Sequence, residues 1–160
     1  MSLKLTRRTA LLGAAILLTP AIALAQDRYA RDPIRNLTDA QWRARLSPSA
    51  YSVLRHEATE RPFTSPLNDE HRNGVFACAG CGLPLFNSQW KFDSGTGWPS
   101  FFRAIDQNIG RRTDRSLGMV RTEYHCARCR GHQGHVFRDG PPPTGLRYCN
   151  NGVALTFTPA

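Results

Sequence analysis

Apolar and polar positions divide the chain into three stretches of different period. From Ala10 to Ile22 apolar residues run almost unbroken, interrupted by Gly13, Thr19 and Pro20. Lys4, Arg7 and Arg8 precede this run and Ala23-Leu24-Ala25 follows it. A charged start, a short apolar run and a small-x-small site together predict an export signal over residues 1–25. The run falls short of the about 20 apolar residues that span a bilayer. Residues 26–37 read as a polar linker. From Thr38 the pattern turns helical: Thr38 caps a helix reaching Leu46, and Ser47-Pro48 starts a second, with Ser as N-cap and Pro in the first turn. The second helix carries Tyr51, Val53, Leu54 and His56, and residues 58–73, with Pro62 and Pro66, read as loop.

From Gly74 onward the runs shorten to strand length. Strands are predicted at 74–78, 83–86, 120–124, 134–137, 146–149 and 153–158. Asp139-Gly140-Pro141-Pro142-Pro143-Thr144-Gly145 is a strong turn, making a hairpin of the two strands around it. The expected fold is mainly β over residues 38–160, with two or three short helices first. Gly and Pro number 13 and 11, which agrees with a turn-rich fold, and 41% hydrophobic residues suffice for a core.

Charge changes this picture little. The formal net charge is +9, and a cleaved leader would take Lys4, Arg7 and Arg8 with it. Such a balance can serve nucleic acid or an anionic surface. The arginines are scattered, however, and the densest cluster is only Arg111, Arg112, Arg115 and Arg121. No nucleic-acid partner is expected. Thr6-Arg7-Arg8 beside the apolar run resembles a twin-arginine export signal, which places the mature protein in the periplasm. It would touch a membrane only if the signal stayed uncleaved.

The cysteines are more informative. Cys78-x-x-Cys81 and Cys126-x-x-Cys129 are knuckles of identical spacing, 44 residues apart. Two thiolates three positions apart can hold one face of a tetrahedral ion, and two such pairs close the shell. The expectation is one structural Zn2+ with no open position. Disulfides are the competing reading in an exported protein. A domain that folds before translocation, however, could load metal in the reducing cytoplasm and keep it.

Cys149 is the fifth cysteine. In a strand, alternate side chains share a face, so Arg147, Cys149 and Asn151 point one way. A guanidinium beside the thiol favours the thiolate, and Asn151 offers a donor and an acceptor. If the hairpin loop is symmetric about Pro142, His135 lies across from Cys149. His132, three residues earlier, could reach the same cleft after a bend at Gly134. A cysteine with a histidine near it is a nucleophile with an acid/base partner.

Four blocks, Ser94-Gly95-Thr96-Gly97-Trp98-Pro99-Ser100-Phe101, His132-Gln133-Gly134-His135-Val136-Phe137, Asp139-Gly140-Pro141 and Thr144 through Asn151, resemble those of the B-type methionine sulfoxide reductases. With both knuckles in order, the resemblance covers about residues 38–158. It implies a mainly antiparallel β fold of two sheets with a few helices. It further implies attack by Cys149 on the sulfoxide sulfur of oxidised methionine in proteins or peptides, leaving a sulfenic acid. His132 and His135 would supply or relay the proton, Asn151 would share their water network, and Trp98 would hold the substrate methyl with Arg147 nearby. The R epimer is the family's substrate. Thr96 stands where many members carry a resolving cysteine, so the resemblance leaves regeneration to an outside thiol, thioredoxin-like or smaller. Gln133 and Gly152 also depart from the common Leu and Ser. A zinc-ribbon binding module and an exported redox sensor remain as other classes, and neither needs Cys149, the histidines and Trp98 together.

Overall fold

The computed structural model describes residues 27–160. The predicted export signal, residues 1–25, lies outside the described residues. The two expected helices form: α1 (Asp39–Arg45) and α2 (Pro48–His56). Thr38 and Gln41 make a reciprocal capping box at the start of α1. The Ser47 hydroxyl accepts from the Ala50 amide, with Pro48 in the first turn of α2. The segment read as a linker is partly packed down, with a 3-10 turn over Pro33–Asn36, a buried Ile34, and Asp32 paired to Arg128 at 2.7 Å.

Nine strands follow: β1 (Gly74–Cys78), β2 (Pro84–Asn87), β3 (Lys91–Phe92), β4 (Ser100–Phe101), β5 (Ile109–Asp114), β6 (Arg121–Cys126), β7 (His132–Phe137), β8 (Arg147–Asn150) and β9 (Leu155–Pro159). They make a three-stranded sheet, β2-β1-β9, and a six-stranded sheet, β3-β4-β8-β7-β6-β5. Every pairing is antiparallel. The two-sheet, mainly β expectation holds, and three strands are additional to those predicted. Strands β3 and β4 are two residues each, too short for a period to register. Strand β5 is an edge strand whose middle, Arg111 to Thr113, is exposed, so it shows no apolar alternation.

An aromatic cluster joins the sheets. Phe76 and Phe86 come from the small sheet; Phe101, Tyr124 and Tyr148 come from the large one. Phe86 stacks on Phe101 with centroids 4.1 Å apart, and Phe76 meets Phe101 edge-on at 5.0 Å. Tyr124 and Tyr148 close the cluster at 5.4 Å. Offset and edge-on rings contribute beyond the area they bury. The Tyr124 hydroxyl donates to Asn150 Oδ1 at 2.6 Å, which satisfies it in the core. Strand β8 therefore turns Tyr148 and Asn150 inward and leaves Cys149 on the opposite face.

Two backbone features shape that face. Strand β7 carries an extra residue between the pairs Tyr124↔Gly134 and His125↔His132. This bulge brings His132 and His135, three positions apart, to one side of the sheet, with their rings 5.5 Å apart. Gly134 lies so close to β8 that a Cβ there would sit 1.9 Å from the Cys149 carbonyl oxygen. The Phe86→Ala variant should lose about 3–5 kcal/mol of unfolding free energy in urea titrations, because its ring fills the seam between the sheets.

Candidate active site and metal centre

The knuckles are built alike. In each, the amide of the first cysteine donates to the carbonyl five residues on: Cys78 to Leu83 at 2.9 Å and Cys126 to Gly131 at 3.0 Å. The residue four after the first cysteine adopts a left-handed φ, +72° at Gly82 and +59° at Arg130, and its amide returns to that cysteine's carbonyl. These tight turns aim both sulfurs of a knuckle the same way. All four Sγ atoms lie within 4.8 Å of one another. The shortest approaches run between knuckles, Cys78 to Cys129 at 3.6 Å and Cys81 to Cys126 at 3.4 Å. A disulfide needs about 2.05 Å, whereas metal–sulfur bonds of about 2.3 Å in a tetrahedron put sulfurs about 3.8 Å apart. The four cysteines fit a metal ion. One knuckle ends β1 and the other ends β6, so that ion would clip the two sheets together.

Cys149 sits elsewhere, paired with His135 on β7 and with Ser100 on β4. It opens into a small cleft of about 130 Å3 lined by Trp98, His135, Phe137, Asn151 and Arg121, among others. The symmetric-hairpin register therefore holds. Asn151 is buried, and its Nδ2 donates to the Gln133 carbonyl at 2.9 Å. Its Oδ1 accepts from the Glu60 amide at 2.9 Å. The Trp98 indole N–H donates to the Glu60 carbonyl at 2.9 Å, so one residue anchors both Asn151 and Trp98.

Each histidine has a carboxylate behind it. His132 Nδ1 is 2.8 Å from Glu123 Oε1, and His135 Nε2 is 2.8 Å from Asp114 Oδ2. A carboxylate only accepts, so these nitrogens carry the hydrogens, leaving His132 Nε2 and His135 Nδ1 as the free positions. Burial lowers the His135 pKa below its usual value, although Asp114 pulls it up. Asp114 is held well below the ordinary carboxylate range by the Ser116 amide and hydroxyl, with His135 and Arg121 adding to this. Burial raises the Glu123 pKa, but His125 and His132 outweigh it and bring the carboxyl to about 2.

The thiol departs from expectation. Burial pushes the Cys149 pKa up from its usual value, while the Arg147 charge and the Thr96 hydroxyl pull it down. The net direction is upward, so the expected thiolate-favouring effect of Arg147 is real but smaller than the cost of desolvation. Arg147 makes a two-pronged contact to Asp139 at 2.9 and 2.8 Å and lies over the Phe137 ring at 4.4 Å. Arg147 is not among the residues that line the cleft, and neither is His132, which packs 5.5 Å from the His135 ring and lines a separate cavity with Glu123, His125 and Arg112. Cys149, His135, Trp98 and Asn151 line the cleft itself.

Sequence reasoning did not find Glu60, Asp114 or Glu123. No local pattern marks their link to the predicted residues, which lie at least nine positions away: Glu60 to Trp98 and Asn151, Asp114 to His135, and Glu123 to His132. The basic cluster also resolves differently from a binding stripe. Arg111 pairs with Asp106, Arg112 with Glu57 and Glu123, and Arg121 with Asp114.

A two-sheet β domain with four cysteines gathered as a metal site, and a fifth on a strand beside a histidine, an asparagine and a tryptophan, fits an enzyme better than a zinc-ribbon adaptor. A model of the SelR domain matches residues 46–159, and the chain belongs to that family. A relative from Thiobacillus denitrificans, "Peptide methionine sulfoxide reductase MsrB", is 61% identical over 123 residues, covering 76% of this chain and 93% of the relative. Relatives of the same name are 55% identical in Bradyrhizobium diazoefficiens, over 76% and 88% of the two chains, and 52% identical in Agrobacterium fabrum, over 79% and 95%. Among solved structures, the "Yippee-like" domain of Mis18 gives a TM-score of 0.45 at 19% identity, over 56% of this chain and 98% of that one.

The depressed pKa of Glu123 has a pH signature. A carboxylate lowered to about 2 on folding contributes stability that is complete above its unfolded pKa, about 4.3, and is lost as pH falls toward 2. Thermal melts should show wild type more stable than Glu123→Gln by about 2 kcal/mol above pH 5, with the gap closing toward pH 2. A gap independent of pH would mean that the histidines do not hold this charge.

Proposed function

We propose that this protein reduces methionine-R-sulfoxide in proteins and peptides to methionine, using Cys149 as nucleophile and an outside thiol as reductant. The observation that carries this reading is Cys149 facing His135 across β7 and β8 in a cleft walled by Trp98 and Asn151. Membership of the SelR family supports it.

The chemistry follows from the groups present. The Cys149 sulfur attacks the sulfoxide sulfur, oxygen passes to Cys149, and methionine leaves, so the products are a sulfide and a sulfenic acid. The proton that the thiol loses is the proton the sulfoxide oxygen needs. His135, neutral and presenting Nδ1, relays it across a short path, with His132 behind it. A raised Cys149 pKa suits this step, because the proton stays on sulfur until substrate arrives. Trp98 and Phe137 supply an aromatic wall for the S-methyl group, and Asn151 gives the polar side to the oxygen. This asymmetry selects one epimer. The sulfenic acid then condenses with an external thiol, releasing water, and a second thiol frees Cys149. Thr96, at the place of a possible resolving cysteine, supports this external route.

The four-cysteine site takes zinc in this reading. Four soft thiolates in a tetrahedron suit that ion, and with every position filled by protein it serves structure alone. The leader carries the folded domain to the periplasm by the twin-arginine route.

Three measurements test these readings. With separate epimers of a methionine sulfoxide peptide and dithiothreitol, R alone should turn over, and Cys149→Ser should abolish it. Turnover of S, or activity in Cys149→Ser, would remove the reading. His135→Ala should lower kcat by about 10²–10⁴. Replacing Arg7 and Arg8 by Lys should leave the full-length precursor in the cytoplasm; periplasmic protein at wild-type yield would exclude twin-arginine export.

A further inference from the structure

Gln133 stands between the two histidines, where the resemblance would place Leu, and its side chain does not enter the substrate cleft. The bulge in β7 turns it the other way, to full burial, and its Nε2 lies 3.3 Å from Cys78 Sγ. Its Oε1 is buried and finds no partner among the described residues. Burying an amide with its carbonyl unsatisfied is destabilising, and an apolar side chain of similar size would avoid it. The position tolerates that penalty only if the N–H gains something in exchange. A neutral thiol is a poor acceptor, whereas a metal-bound thiolate is a charged one, and a hydrogen bond to a charged acceptor is stronger. Four thiolates around a divalent ion leave two surplus negative charges in a buried site, where unneutralised charge is costly.

We infer that Gln133 is a positioning residue of the metal centre, which donates a hydrogen bond to the Cys78 thiolate and so slows loss of the metal. It rests on the reading of the four cysteines as a metal site and does not depend on the reaction at Cys149. The bond also ties that centre to the cleft. The Gln133 carbonyl accepts both the Asn151 amide and its side-chain Nδ2, each at 2.9 Å. One residue thus holds the metal clip with its side chain and the cleft asparagine with its backbone. Groups that hydrogen-bond to metal ligands tune affinity as the ligands themselves do.

The test uses the folded protein loaded with Co2+, whose sulfur-to-metal charge-transfer band reports the donor strength of the thiolates. Losing an N–H donor raises the sulfur lone pairs in energy. In Gln133→Leu the band should move to longer wavelength, and release of metal to an excess of chelator should be about tenfold faster. Gln133→Met, which keeps the length without a donor, should behave likewise and guards against a packing effect of Leu. An unchanged band with an unchanged release rate in both variants would overturn the proposal. Wild-type protein that takes up no metal would overturn it together with the four-thiolate reading, whatever happens to methionine sulfoxide.

Discussion

Four sulfurs gathered within 4.8 Å of one another are the constraint on which this fold depends. They come from the ends of β1 and β6, strands of different sheets that are 45 residues apart at their nearest cysteines. Without a metal among them, four thiols at these distances gain little and lose chain entropy. With one, they close a long loop and lock the sheets in register. The aromatic seam of Phe76, Phe86, Phe101, Tyr124 and Tyr148 then packs between surfaces already held together.

The face that carries Cys149 is a by-product of that clip. Strand β6 ends in the second knuckle and β7 leaves it, so the bulge holding His132 and His135 begins three residues past Cys129. Strand β8 pairs with β7 and carries Cys149. The same sheet supplies the supporting carboxylates, Asp114 at the end of β5 and Glu123 on β6. Each imidazole is therefore fixed in one tautomer by a partner that the sheet itself delivers. Burial raises the Cys149 pKa, and nearby charges are paired, Arg147 with Asp139 and Arg121 with Asp114.

Much of this was legible from residue spacing. The caps at Thr38 and Ser47 set helix starts because capping is local. The hairpin register that puts His135 opposite Cys149 followed from a loop of defined length, because antiparallel pairing counts residues evenly from the turn. The knuckles declared themselves by repetition. What sequence alone misjudged or missed has a common cause. Strand β5 was hidden because an edge strand with an exposed middle has no apolar period. The Arg147 effect on Cys149 was overstated because proximity in a strand says nothing of how far the thiol is desolvated. That Gln133 turns away from both histidines toward Cys78 was not readable, because a bulge, which reverses facing, leaves no mark in the alternation of residues.

The sequence by itself determined both α-helices, six of the nine strands, the pairing of the cysteines into two knuckles and the identity of the spare one, since each depends on neighbours a few bonds apart. The tertiary structure alone decided which carboxylate stands behind which histidine, that Glu60 anchors both Trp98 and Asn151, and that the amide of Gln133 reaches a sulfur 55 positions earlier. Those contacts join residues far apart in the chain, and their energies depend on burial, which no local pattern records.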